Sequence, residues 1–147
     1  MHLPPPDLAR NMPPPRCVNT VNILIADDHA ATRGGMQEML GQALPSARFG
    51  NAANAAEVMH RLSETTYDLI LLDINMPGQN GIEALRRIKR QFPALPVVIV
   101  SIQPEEQYKQ PCLRLGAAEY INKDAAPEKL IPTVLRVLEK HSQAVPL

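Results

Sequence analysis

Five side chains of this 147-residue chain stand where short strand-like segments give out. Segment 21–26 is followed by Asp27-Asp28, 69–72 by Asp73, 97–100 by Ser101 and 119–122 by Lys123. If these segments are parallel neighbours in one sheet, three carboxylates, a hydroxyl and an amine share one sheet edge. Clustered carboxylates repel one another, so cations must offset their charge. Carboxylate and carbonyl oxygens are hard ligands that suit Mg²⁺, an ion that keeps several waters and shares its shell with phosphate. Lys123 adds a fixed positive charge able to pair with Asp73 and with a phosphoryl oxygen, and Ser101 can donate a hydrogen bond to another. A carboxylate held beside Mg²⁺ and an ammonium group is equipped to attack an activated phosphoryl group. Such a transfer asks little of a protein beyond position and charge neutralisation.

The elements that must hold these residues follow from the apolar pattern. Strands are expected at 21–26, 47–51, 69–72, 97–100 and 119–122, and helices at 30–44, 55–62, 82–92, 105–115 and 127–140. Leu69-Ile70-Leu71-Leu72 is apolar throughout, as a strand covered by helices on both faces has to be. Five strand–helix units imply an open parallel α/β sheet, and a barrel, which needs more units, is excluded. Ligands of such sheets bind beyond the carboxyl ends of the strands, near the point where strand order reverses. Pro45, Pro93 and Pro96 fall between elements, Gly116 suits a helix cap and Pro127 a first helical turn. Pro111 and Pro132 fall inside expected helices, where a missing amide and a crowding ring predict a kink or a shortened helix.

Composition narrows the function. Apolar residues make up 45% of the chain, enough for one core without staples. Fifteen Lys and Arg balance fifteen Asp and Glu, which argues against a surface built to wrap nucleic acid or lie on an anionic membrane. Two cysteines, Cys17 and Cys112, make neither a disulfide framework nor a four-cysteine zinc site. No apolar run reaches the length of a membrane span or of a signal-peptide core, and the expected location is the cytoplasm. Residues 1–19 carry Pro4-Pro5-Pro6 and Pro13-Pro14-Pro15 and are expected to be a disordered extension. A ligand for a proline-binding domain is the rarer alternative there, and Met12 is a conceivable second start. The folded domain is expected at 20–142, with a tail at 143–147.

The joint pattern is Asp27-Asp28-His29, then Leu71-Leu72-Asp73-Ile74-Asn75-Met76-Pro77-Gly78 with Gly81, then Ser101, then Tyr120-Ile121-Asn122-Lys123. On these residues the chain resembles a response regulator receiver domain over residues 20–142. Ala26-Asp27-Asp28-His29 and Lys123-Asp124-Ala125 are similar to the NarL/FixJ (LuxR-type) subgroup. The resemblance implies a doubly wound, flavodoxin-like five-stranded parallel sheet in the order 2-1-3-4-5 with helices on both faces. It implies Asp73 as phosphoacceptor. Asp28, Asp73 and the backbone carbonyl of Asn75 would ligate Mg²⁺ directly, with Asp27 acting through water. Lys123 would bridge Asp73 and the phosphoryl group. Ser101 and Tyr120 would be a switch pair, the hydroxyl turning toward the phosphoryl group as the ring rotates inward. Asn75 and Gln103 occupy positions that in this family influence hydrolysis of the aspartyl phosphate. The implied partner is a sensor histidine kinase, and a second copy of the chain is a candidate partner. NarL/FixJ regulators normally carry a C-terminal helix-turn-helix domain. With the sequence stopping at Leu147, DNA contact is expected only through such a domain, absent from these residues, and none is expected with a membrane. The domain is expected to be no enzyme beyond slow self-catalysed phosphotransfer and dephosphorylation.

Plainer readings stand beside these. Asp27-Asp28 could simply open a helix, whose N-terminal dipole favours acidic residues. The combination with Asp73 and Lys123 is what argues for a site. Met76-Pro77-Gly78 is first of all a turn, and Gly81 a loop-to-helix residue. His29 reads as a single exposed histidine at a helix start, without a partner for a metal or phosphate role. Cys112 reads as an ordinary thiol, Tyr120 as a strand aromatic, and residues 86–90 as a solvated helix face. Two other functions compete. One is a phosphorylation-independent receiver acting as a protein-interaction module, left open because Pro111 interrupts a helix the family uses for output and dimerisation. The other is a small hydrolase of the haloacid dehalogenase type, whose Asp-x-Asp pattern is not met because Asn75 takes the second position.

Overall fold

A computed structural model describes residues 21–76, 78 and 80–144. The proline-rich extension expected at 1–19 and the last three residues of the tail lie outside the described residues. The strands are β1 (Asn22–Ala26), β2 (Arg48–Ala52), β3 (Leu69–Leu72), β4 (Val97–Ser101) and β5 (Glu119–Asn122). The helices are α1 (Ala30–Ala43), α2 (Ala55–Glu64), α3 (Gly81–Gln91), α4 (Glu105–Arg114) and α5 (Ala126–Ala144). The sheet is wholly parallel in the order β2-β1-β3-β4-β5. Among the described residues no helix is long and apolar enough to cross a membrane.

Alternation along each strand sorts the core into two layers, because successive side chains leave opposite faces of a sheet. Ile23, Ile25, Leu69, Leu71, Val98, Val100 and Ile121 pack with Met36 and Leu40 of α1 and with Leu130, Val134 and Val137 of α5. Leu24, Ala26, Ile70, Leu72, Val97, Ile99 and Tyr120 pack with Val58 and Leu62 of α2, Leu85 and Ile88 of α3, and Cys112 of α4. Every residue of β3 is buried, as its unbroken apolar run demands.

The helix starts are chemically marked. Asn54 accepts a hydrogen bond from the Glu57 amide at the head of α2, and Asn80 from the Ile82 amide at the head of α3, each answering an otherwise unpaired donor. Gly81 is fixed by space: a Cβ there would stand 2.1 Å from the Ile74 carbonyl oxygen. The edge strand β2 has a similar device. A Cβ on Gly50 would meet the Tyr67 hydroxyl at 2.1 Å, so this ring fills the place a side chain would take.

The shortening expected at the two prolines is not seen, and one helix end is corrected. Neither proline shortens its helix: α4 runs through Pro111 to Arg114, where the Leu115 amide still reaches the Pro111 carbonyl at 3.2 Å, and α5 runs through Pro132. The amides that the prolines lack would have served the carbonyls of Gln107 and Glu128, both exposed residues whose acceptors water can satisfy. Helix α5 also continues past the expected end at 140 to Ala144, inside the segment expected as tail. At β2 the strand lies one residue later than expected, because pairing of Asn22 with Arg48 and of Ala26 with Ala52 sets its register.

Candidate functional site

Strand order reverses between β1 and β3, and the crevice this opens lies at their carboxyl ends. Asp27 and Asp73 are the first residues past those ends. Sheet hydrogen bonding continues one step beyond the strands: the Asp27 amide donates to the Ala52 carbonyl at 3.0 Å and the Asp73 amide to the Ala26 carbonyl at 2.9 Å. Both backbones are therefore fixed, and their carboxylates stand side by side. Ser101 is the last residue of β4, paired with Asn122 of β5. Lys123 opens a single 3₁₀ turn, Lys123–Ala125, whose first amide pairs come from Asn122 accepting the Asp124 N–H at 3.0 Å.

Lys123 Nζ lies 2.7 Å from Asp27 Oδ2 and 3.0 Å from Asp73 Oδ2. Their side chains are 0% and 3% exposed, so two buried carboxylates share one ammonium group and the pair keeps an excess negative charge. The second oxygen of each is held by the amide two residues on: Asp73 Oδ1 accepts from Asn75 N–H and Asp27 Oδ1 from His29 N–H, both at 2.8 Å. Burial raises the Asp73 pKa, and the Asn75 amide and Lys123 only partly oppose it. Burial also works against the Lys123 ammonium, but Asp27 and Asp73 outweigh it and hold the Lys123 pKa above its ordinary value. An ionised carboxylate of raised basicity is the stronger nucleophile.

A second group of expected residues meets at Gln103. Its amide donates to Ser101 Oγ at 3.1 Å, and its side-chain nitrogen to Asn75 Oδ1 at 3.1 Å. Its carbonyl accepts from the Tyr120 hydroxyl at 2.8 Å and from Asn122 Nδ2 at 3.2 Å. The Tyr120 ring is buried, and burial raises its pKa. Asn75 Nδ2 reaches Ser101 Oγ at 3.5 Å, which ties the loop after β3 to the end of β4.

Three participants were not expected. Arg33 donates to the Asp27 carbonyl at 2.5 Å; only its place one turn into α1 marks it in the sequence. Asn122 is the second donor to Gln103. His29 is the correction: it is exposed, yet Nδ1 lies 3.1 Å from Asp28 Oδ1 and 3.4 Å from Asp27 Oδ1. As the extended N-cap residue of α1 it turns its ring back over the strand end, and this gives it partners that spacing alone did not show.

The residues fit a divalent cation. Among the described residues Asp28 Oδ1 and Asp27 Oδ2 are sealed from water without a hydrogen bond, the latter having only its ion-pair contact with Lys123. Buried carboxylate oxygens in excess over their donors call for further positive charge, and hard oxygens suit Mg²⁺.

Comparison with known proteins gives the family. The chain matches the response regulator receiver domain family over residues 23–135, and it belongs to that family. It is 34% identical to the nitrate/nitrite response regulator protein NarL of Escherichia coli over 109 residues, 74% of this chain and 50% of NarL. It is 33% identical over 113 residues to an uncharacterised transcriptional regulatory protein, YhcZ, of Bacillus subtilis, covering 77% of this chain and 53% of that one. Thus the chain spans about half the length of the curated relatives it matches. Among solved structures, a LuxR-family two-component response regulator from Aurantimonas superposes with a TM-score of 0.76 at 28% identity, over 82% of this chain and 86% of that one. A CheY-like receiver domain from Methanospirillum hungatei, at 24% identity and a TM-score of 0.78, covers 86% of this chain and 99% of its own and shares the fold. The similarity to NarL-type regulators read from Asp27-Asp28-His29 and Lys123-Asp124-Ala125 holds.

Proposed function

We propose that this receiver takes a phosphoryl group on Asp73 from the phosphohistidine of a sensor kinase and passes the change to an output, transcription through a DNA-binding domain outside these residues. The observation that carries the reading is the buried Asp73 carboxylate, raised in basicity and 3.0 Å from the Lys123 ammonium at the strand-order reversal. In the transfer an Asp73 oxygen forms a bond to phosphorus, the bond from phosphorus to the donor nitrogen breaks, and the freed imidazole takes up a proton. Lys123 keeps its place beside Asp73 and faces the incoming negative charge. Ser101 Oγ is the acceptor in both bonds to Gln103 and Asn75, which leaves its hydroxyl hydrogen to donate to a phosphoryl oxygen.

Asp28, Asp73 and the Asn75 carbonyl are the proposed Mg²⁺ ligands, with Asp27 acting through water. When bound, the ion supplies positive charge against the phosphoryl oxygens. Ser101 and Tyr120 are the proposed switch pair, joined through Gln103. The Asn75 and Gln103 amides, in contact at 3.1 Å, would control the approach of hydrolytic water and so the lifetime of the phosphoryl group. The proposed setting is the cytoplasm, the partner a histidine kinase, and a second copy of the chain is a candidate for the activated form. The names of the relatives as transcriptional regulators support this output.

Intact mass after incubation with a small-molecule phosphodonor and Mg²⁺ tests the proposal. The wild type is expected to gain one phosphoryl group, and Asp73→Asn or chelation of Mg²⁺ to abolish the gain. A wild type left unmodified by every donor would replace this reading with a phosphorylation-independent interaction module.

A further inference from the structure

We propose that Arg33 is a positioning residue for Mg²⁺ uptake: from α1 it holds the peptide that aims Asp28. The inference rests on the Mg²⁺ reading above and adds a residue which that reading does not use. Beyond β1 the ladder gives out. The Asp27 amide still donates to the Ala52 carbonyl at 3.0 Å, but the Asp27 carbonyl is met by a side chain, Arg33 Nη1, at 2.5 Å. A guanidinium presents its N–H donors in a rigid plane, so the half-buried Arg33 fixes the direction of that carbonyl as well as satisfying it.

A peptide unit is planar, and the Asp27 oxygen shares its plane with the nitrogen and Cα of Asp28. Holding that oxygen therefore sets where the Asp28 side chain leaves the backbone. The next peptide is held from the other side, because the His29 amide donates to Asp27 Oδ1 at 2.8 Å. Asp28 sits between two pinned peptides, and its direction comes from them, since its Oδ1 is sealed from water and makes no hydrogen bond of its own. Arg33 is anchored in turn: its amide donates to the His29 carbonyl at 3.0 Å in the first turn of α1. Strand end and helix start thus form a closed circuit of bonds from Asp27 to His29 to Arg33 and back to Asp27. Charge and position make opposite predictions for this residue. Arg33 is a cation beside the acidic pair, so by charge alone its removal would tighten a bound cation. Loss of aim does the reverse, because removing a group that orients a metal ligand costs about tenfold or more in affinity.

Calorimetric titration with Mg²⁺ tests this on the wild type, Arg33→Met, Arg33→Lys and Arg87→Ala, with folding of each checked by circular dichroism. Arg33→Met keeps an apolar stem, loses every donor and is expected to weaken Mg²⁺ about tenfold. Arg33→Lys keeps the charge without the rigid fork and is expected to weaken it by a smaller factor. Arg87 is exposed on α3, and Arg87→Ala makes the same change of net charge as Arg33→Met, so it is expected to leave the affinity as it was. In phosphoryl uptake followed by intact mass, the Mg²⁺ concentration for half-maximal rate should rise in Arg33→Met by the factor that calorimetry gives, while the rate at saturating Mg²⁺ falls far less. A merely structural role would lower the unfolding midpoint without that split. Mg²⁺ affinity unchanged or tightened in either Arg33 variant would overturn the inference and leave the Mg²⁺ reading standing. A wild type that binds no Mg²⁺ would remove both together.

Discussion

Replacing Gly81 by alanine asks whether the loop that begins at Asp73 is positioned by contact between two stretches of backbone. The added Cβ would lie 2.1 Å from Ile74 O, 2.2 Å from Ile74 Cα and 2.4 Å from Ile74 C, against 3.4 Å for ordinary contact. All three are main-chain atoms, so no side chain can swing away, and loop and helix must part by roughly 1 Å. Overpacking of this kind costs about 1–3 kcal/mol, and the unyielding partner puts Gly81 at the upper end. Alanine's better helix propensity returns at most about 1 kcal/mol. That leaves about 2–3 kcal/mol; for a domain of this size each kcal/mol lowers the unfolding midpoint by about 4 °C, so a fall of about 8–12 °C is expected by circular dichroism. Ile74 adjoins Asp73, and a displacement of about 1 Å there should slow phosphoryl uptake, followed by intact mass, about tenfold to a hundredfold. Gly34 is the control: nothing among the described residues lies within 4 Å of its added Cβ, so Gly34→Ala in mid-helix should be neutral or stabilising. A Gly81→Ala chain with the wild-type midpoint and uptake rate would refute the argument that this contact places the loop.

Gly50→Ala is expected to destabilise by about 1–3 kcal/mol through the Tyr67 ring, and Tyr67→Ala should remove most of that penalty in the double variant; additive losses in denaturant unfolding would show the two residues to be uncoupled. Lys123→Met strips the ammonium from two buried carboxylates and should cost about 3 kcal/mol at neutral pH in the metal-free protein. That deficit should shrink as pH falls toward the raised Asp73 pKa, since a neutral carboxyl needs no counter-charge, and a pH-independent deficit would refute this account. Cys112 is wholly buried, and burial raises its thiol pKa. The stability this gives is full below the ordinary thiol pKa and is lost as pH rises through the raised one, so the unfolding free energy should fall in alkaline solution above about pH 9. In a Cys17→Ser background Cys112 should react with iodoacetamide at pH 8 only as fast as the protein unfolds; rapid labelling of the native state would contradict its burial.

The gathering of Asp27, Asp28, Asp73, Ser101 and Lys123 was legible because each directly follows or ends a short strand, and a parallel sheet brings strand ends to one edge. Strand order came only with the family resemblance; local pattern gave the covered sheet, since β1 and β3 are apolar runs buried almost throughout. What escaped depends on contacts between distant segments. The register of β2 is decided by its partner β1, because Arg-Phe-Gly-Asn-Ala carries little apolar signal of its own. Pro111 and Pro132 read as interruptions because a sequence shows the missing amide and not the solvent that serves the freed carbonyl. Gln103 was named only through the resemblance, and its bonds to Ser101, Tyr120 and Asn122 escaped because they run through its own amide and carbonyl, which no residue letter announces. The partners of His29 depend on how the chain turns out of β1.

Gln103 makes four hydrogen bonds to four residues: Ser101, Asn75, Tyr120 and Asn122. At about 1 kcal/mol each, their joint loss costs about 4 kcal/mol, which leaves a conformer with this loop released populated at about one molecule in a thousand. Because the bonds converge on one residue, positions between held and released forgo some bonds without gaining replacements, so two-state rather than graded release is the expected behaviour. A phosphoryl group or a partner protein that favours the released form must prefer it by about three orders of magnitude to make it the major species. Under the proposed switch reading the same free energy is shared in both directions: a partner that held Tyr120 would alter the affinity at Asp73 by the factor with which ligands of Asp73 would alter the partner's.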